Sequence, residues 1–154
     1  MWEGKLVSIN VTDKAGAQMR SVEHVNAVAG KGLEGDRYFA GTGSYSQKQD
    51  GLRQVTFIEI EAVQALQSEA SISLEPGSTR RNLVTQGVPL NHLVGKTFKV
   101  GQVAFRGLLL CEPCQNLANM TEAGVLPALI HRGGLRAEIL SSGAIHTGDP
   151  IRPT

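Results

Sequence analysis

The chain has 154 residues, 41% of them hydrophobic, which is enough for one domain with a real core and too short for two comfortable ones. A formal net charge of +1 gives no general electrostatic drive toward nucleic acid or an anionic membrane, so neither is expected as a partner and any anion site must be local. No apolar run approaches the roughly 18 residues of a membrane span, and Met1-Trp2-Glu3-Gly4-Lys5 lacks the basic-then-apolar order of a signal peptide, so a cytoplasmic protein with reduced thiols is expected.

Eighteen glycines against 5% aromatics favour short elements joined by tight turns, a β-rich pattern. Lys5 to Val11 alternates as a first strand does, with Leu6, Ser8 and Asn10 on one face and Val7, Ile9 and Val11 on the other. Asp13 to His24 is polar and small, and Val25 to Val28 resumes extended structure before the Gly30-Lys31-Gly32 turn. A charged Gly35-Asp36-Arg37 element leads into a Gly/Ser/Gln-rich tract from Ala40 to Gly51, whose length and position predict a flap over a site. Gln54 to Phe57 reads as a strand, and Glu59 to Ser68 as an amphipathic helix with Ile60, Val63 and Leu66 on its buried face.

Pro76-Gly77 marks a turn, after which Ser78 to Thr85 passes from polar to strand-like and carries Arg80 and Arg81 in together. Leu90 to Leu93 is a connector, and Gly95 to Gly101 forms a hairpin with the strand Val103 to Leu110. Thr121 to Ile130 predicts a second helix that tolerates Pro127 in its first turn and ends at His131-Arg132-Gly133-Gly134. Leu135, Ala137 and Ile139 alternate in another strand, and Gly148-Asp149-Pro150-Ile151 turns into a final short one. Residues 1–154 are therefore expected to form a single domain, mostly β, as a closed or nearly closed β-barrel with two or three short helices.

Both cysteines lie at the end of the strand that contains Val103, Phe105 and Leu108 to Leu110, which is expected to run into the interior. Pro113 stops the ladder because it has no N–H to donate, which places Cys114 just past a strand end. Gln115 to Met120 contains no Gly or Pro and predicts a short helix, whose unpaired N–H groups would favour a thiolate at Cys114. Competing readings are a buried packing role, stronger for Cys111, which continues the leucine run, a disulfide across the C-x-x-C spacing, and zinc. His24, His92, His131 and His146 lack the spacing of a zinc site.

Taken in order, Gly35-Asp36-Arg37, the strand and helix from Val55 to Leu66, Pro76-Gly77 leading into Asn82-Leu83, Gly95 to Val103, Pro113-Cys114, and Gly133-Gly134-Leu135 to Gly148-Asp149 resemble the MOSC family, named for the C-terminal part of molybdenum cofactor sulfurases. The resemblance covers nearly the whole chain and implies a compact, mostly-β barrel. It also implies that Cys114 carries sulfur as a persulfide or ligates molybdenum in a bound molybdopterin; Cys111, three residues away, is expected to be a supporting or resolving thiol from its position alone. Arg80-Arg81 stands where many larger relatives have Gly-Glu, and Cys111 where many have Arg. The pyridoxal-phosphate desulfurase domain of the full sulfurases has no room in this length, so pyridoxal phosphate is not expected.

Molybdopterin brings a phosphate and a polar ring system, which Arg forks and backbone N–H groups hold. Arg37, Arg80, Arg81 and Arg132 lie near glycines at loops and strand ends and, with Asp36, Asn82, Gly133 and Gly134 of the matching motifs, are the expected cofactor-binding residues. Three functions stand in order: a sulfur or cofactor carrier served by a sulfur-donor protein, a molybdopterin-dependent reductase of small N-hydroxylated compounds served by an electron-donor protein, and a structural or zinc-stabilised binding module. Neither a Rossmann glycine fingerprint nor an iron–sulfur cysteine set is present for accepting electrons directly.

Overall fold

The computed structural model describes residues 1–48 and 51–154. Strand β1 (Gly4–Val11) opens the chain, followed by β2 (Arg20–Val22), β3 (His24–Val28), β4 (Gly32–Leu33) and the single turn α1 (Arg37–Ala40). Strand β5 (Val55–Glu59) runs directly into α2 (Ile60–Ala70), which returns to β6 (Leu83–Gln86). Then come β7 (Thr97–Val100), β8 (Val103–Leu110), α3 (Gln115–Met120), α4 (Val125–Ala128), β9 (Leu135–Ile139), β10 (Gly143–His146) and β11 (Pro150–Pro153).

Seven strands in the order β1, β6, β5, β9, β8, β7, β11 close into a barrel through the pairing of Gly4 with Ile151 and Lys5 with Pro150. The β5 and β6 pair is parallel because α2 carries the chain across, and the other barrel pairs are antiparallel. Strand β2 extends the sheet from the far half of β1, and β10, β3 and β4 form a small second sheet.

The expected faces of β1 are corrected by a bulge. Its register against β6 shifts between Leu6 and Ser8, so Leu6, Ile9 and Val11 all enter the barrel core while Val7 packs on the outer cluster. Phe57, Phe98 and Phe105 fill the interior with ring centroids 5.3 to 5.8 Å apart. The leucines at the end of β8 do not run inward as expected. A register shift between Gly107 and Leu109 turns that end of the strand outward, and Leu109 is exposed.

A second apolar cluster lies outside the barrel, where Ala62, Val63 and Leu66 of α2 cover Ile58 and Val84 and meet Leu117 and Val125 of the two later helices. This layer seats α3 on the barrel wall. The expected helix from Thr121 to Ile130 is instead the single turn α4 (Val125–Ala128). Thr121 caps α3 by donating its Oγ1 to the Leu117 carbonyl at 2.7 Å, and the four-residue α4 holds Pro127. No helix among the described residues is long and apolar enough to cross a membrane.

Candidate functional site

The segment after β8 is fixed from three directions. The Cys111 N–H donates to the Gly134 carbonyl at 2.7 Å. Arg81, buried just ahead of β6, donates from Nε to the Gly133 carbonyl at 2.7 Å and from Nη2 to the Cys111 and Glu112 carbonyls at 2.9 and 3.3 Å. Its Nη1 donates to the Thr79 carbonyl at 3.2 Å. The Glu112 carboxylate receives the His131 N–H and faces His131 Nδ1, both at 2.7 Å, and these contacts, the backbone one foremost, hold its pKa below the usual carboxylate range. Gly133 and Gly134 are required by this packing, since a Cβ at either would collide with the Cys111 or the Phe57 carbonyl oxygen.

Both cysteines are free thiols, with Cys111 buried and Cys114 exposed. Cys114 is the residue before α3, as expected, but its side chain makes no capping hydrogen bond and α3 has only six residues. Tyr45 lines a cleft with Cys114, and the proximity of Cys114 is the largest cause of a raised phenol pKa.

Cys111 and Cys114 line one cleft of about 290 Å³ on the outer wall of the barrel. Six cationic side chains line it as well, Arg37, Lys48, Arg53, Arg80, Arg81 and Arg136, against one carboxylate, Glu112, among the described residues. In a protein of net charge +1 this is a local concentration of positive charge. Burial lowers the Arg80 pKa and the neighbouring charge of Arg37 lowers it further. Arg80 adopts a left-handed backbone at φ 69° and donates from Nη1 to the Ala17 carbonyl, which projects it between this cleft and a wider one beside β1.

Of the residues expected at the site, Arg37, Arg80, Arg81, Cys111 and Cys114 converge on the cleft. Asp36 and Asn82 stand behind it. Asp36 caps α1, accepts the Tyr38 N–H at 3.3 Å and pairs with Arg37 at 3.1 Å. Asn82 stitches β5 to β1 through the Thr56 N–H and the Asn10 carbonyl, both at 3.1 Å. Arg132 lies outside the cleft, in an exposed pair with Glu69 of α2 at 2.5 Å.

Among the lining residues not expected from sequence are Tyr45, Lys48, Arg53 and Arg136. Tyr45 and Lys48 belong to the Ala40 to Gly51 tract, which does reach the site; Gln49 and Asp50 of that tract lie outside the described residues. An aromatic residue with a nearby cation in an otherwise featureless polar loop was the available signal. Arg53 follows the tract, and Arg136 is an outward position of β9 opposite Thr56 of β5, where alternation alone reads as solvent-facing. Among the described residues no three of His, Cys, Asp or Glu converge as a metal-holding group, so the side-chain arrangement gives the zinc-stabilised reading no support.

A model of the MOSC domain matches residues 35–152. Among solved structures, the chain is similar to the YUAD protein from Bacillus subtilis, with a TM-score of 0.82 at 18% identity, covering 98% of this chain and 97% of that one. It is also similar to YiiM from Geobacillus stearothermophilus, with a TM-score of 0.73 at 16% identity over 98% of this chain and 75% of that one. For YiiM from Escherichia coli the TM-score is 0.69 at 16% identity over 97% and 69%. At such identities the likeness carries the fold alone. Comparison with curated proteins finds no match.

Proposed function

Because the chain belongs to the MOSC domain family, we propose that it binds the anionic molybdopterin cofactor in the Cys114 cleft and uses Cys114 as the sulfur carrier that faces it. The observation that carries this reading is an exposed thiol opening into a cleft lined, among the described residues, by six cationic side chains and one carboxylate. The donor set fits the group. Arg80 and Arg136 offer planar forks suited to a phosphate, and Lys48 adds a point charge. The cofactor, when bound, supplies the redox and sulfur-ligand chemistry of its molybdenum.

The chain's own residues do the rest. Arg81 and the Glu112–His131 pair keep the Cys111 to Cys114 loop in place, so the Cys114 sulfur keeps one position relative to the cations. As a carrier, the Cys114 thiolate attacks the outer sulfur of a donor persulfide, R–S–SH. The donor S–S bond breaks, R–S⁻ leaves, and Cys114 holds the new –S–SH. The donor is a partner protein or a small persulfide. Cys111, buried behind the loop, is a poor recipient of the same sulfur.

Mass mapping tests this assignment directly. Reduced protein exposed to a small persulfide donor should gain one sulfur on the peptide holding Cys114, Cys114→Ser should gain none, and Cys111→Ser should keep most of the loading. Loading at Cys111, or full loading of Cys114→Ser, contradicts the proposal.

A further inference from the structure

A further cleft, of about 650 Å³, lies where the start of β7 meets β8, the end of β11 and the residues ahead of β1, and it shares no lining residue with the Cys114 cleft. Lys96, Arg106 and His92 line it, and among the described residues no Asp or Glu does. Its aromatic member is Trp2, the one tryptophan of the chain, which is half-buried against the barrel core.

The basic groups stand on fixed backbone. Lys96 donates its N–H to the Leu93 carbonyl and accepts the Gly107 N–H, both at 3.0 Å, and the Gly95 N–H donates to the Gly107 carbonyl at 2.9 Å. A Cβ at Gly107 would collide with the Leu93 carbonyl oxygen, so the turn lies this close to β8 only because residue 107 is glycine. Arg106 is the cross-strand partner of Thr97, and Glu138 engages one nitrogen of its guanidinium at 3.1 Å. An indole beside two permanent cations is a donor set for a ligand that is flat at one end and anionic at the other. A heterocyclic base stacks on such a ring, and an ammonium with an arginine fork suits a phosphate. The volume matches a whole small molecule better than a free ion.

We propose that this cleft binds a nucleoside monophosphate or an aromatic phosphate of like size, with the base against Trp2 and the phosphate on Lys96 and Arg106. The site stands whether or not Cys114 carries sulfur.

Because Trp2 is the one tryptophan, its selectively excited fluorescence in the full chain reports on this cleft. Adenosine 5′-monophosphate should quench it saturably with a Kd below about 1 mM. Adenosine, which lacks the charge, should bind at least about tenfold more weakly, and inorganic phosphate, which lacks the ring, should compete at least about tenfold less well. Lys96→Ala and Arg106→Ala should each weaken the nucleotide by about tenfold or more. Both side chains are exposed, so the melting temperature should hold. Arg80→Ala, at the edge of the Cys114 cleft, should leave the titration unchanged. Quenching that does not saturate, adenosine or phosphate binding as well as the nucleotide, or a loss on Arg80→Ala in place of Lys96→Ala overturns the proposal.

Discussion

Replacing Arg81 with alanine should damage the fold before it damages any ligand contact. Its guanidinium is 7% exposed and donates to four backbone carbonyls contributed by three segments of chain. Hydrogen bonds from a charged donor contribute about 1.5–3 kcal/mol each, and a buried acceptor left without a partner costs about 1–3 kcal/mol. These are not additive around one side chain, so about 3–5 kcal/mol is expected in total, comparable to breaking a buried ion pair. For a domain of this size about 2–4 °C of melting temperature accompanies each kcal/mol, which predicts a fall of about 6–20 °C. Arg81→Lys should land in between, since one ammonium group cannot span the same four carbonyls. Thermal unfolding measures the loss, and alkylation of the buried Cys111 reports whether the loop has loosened. A fall of less than about 2 °C with Cys111 still protected would refute Arg81 as the tie that holds the site together.

The remaining predictions concern the outer layer, the acid limit and the thiols. Leu66→Ala should cost about 2–5 kcal/mol in denaturant unfolding, because its side chain is fully enclosed by the outer apolar cluster and leaves a cavity there. The Glu112 carboxyl has a folded pKa below its usual 4.5, so its contribution is fully present above that value and is lost as pH falls through the lower folded one. The difference in melting temperature between wild type and Glu112→Gln should therefore shrink on acidification below about pH 4.5, and a gap that stays constant would contradict the His131 contacts. Brief labelling of the reduced protein should mark Cys114 well before Cys111, and the reverse order would mean that the loop is turned inside out.

Local pattern in the chain was a good guide wherever neighbours in sequence decide the outcome. The helix following β5, the hairpin of β7 and β8, the short helix after Cys114 and the alternation of β9 all follow from periodicity, Gly and Pro. Contacts between distant segments were not legible. Closure of the barrel rests on Gly4 meeting Ile151, and the bulge at Val7 reverses the face on which Ile9 and Val11 fall, a two-versus-one mismatch that only the partner strand reveals.

At the site, the sequence exposed Cys114 and the basic pair but not their division of labour. Arg80 and Arg81 are adjacent, yet a left-handed backbone at Arg80 sends one guanidinium to the cleft edge and the other into the carbonyl cage. Tyr45 was hidden for a related reason. It shares a cleft with Cys114, far away in sequence, and its only local mark is an aromatic ring near Lys48 in a polar loop.

Molybdenum and pterin content, measured together on protein purified from a molybdopterin-competent host, tests the central claim most directly. Wild type should retain both in equal amounts. Arg80→Ala should retain far less of both while folding normally, because Arg80 borders the cleft and its side chain donates to one backbone carbonyl among the contacts described. Wild-type protein that carries neither molybdenum nor pterin, or an Arg80→Ala variant that keeps the full complement of both, would contradict the account.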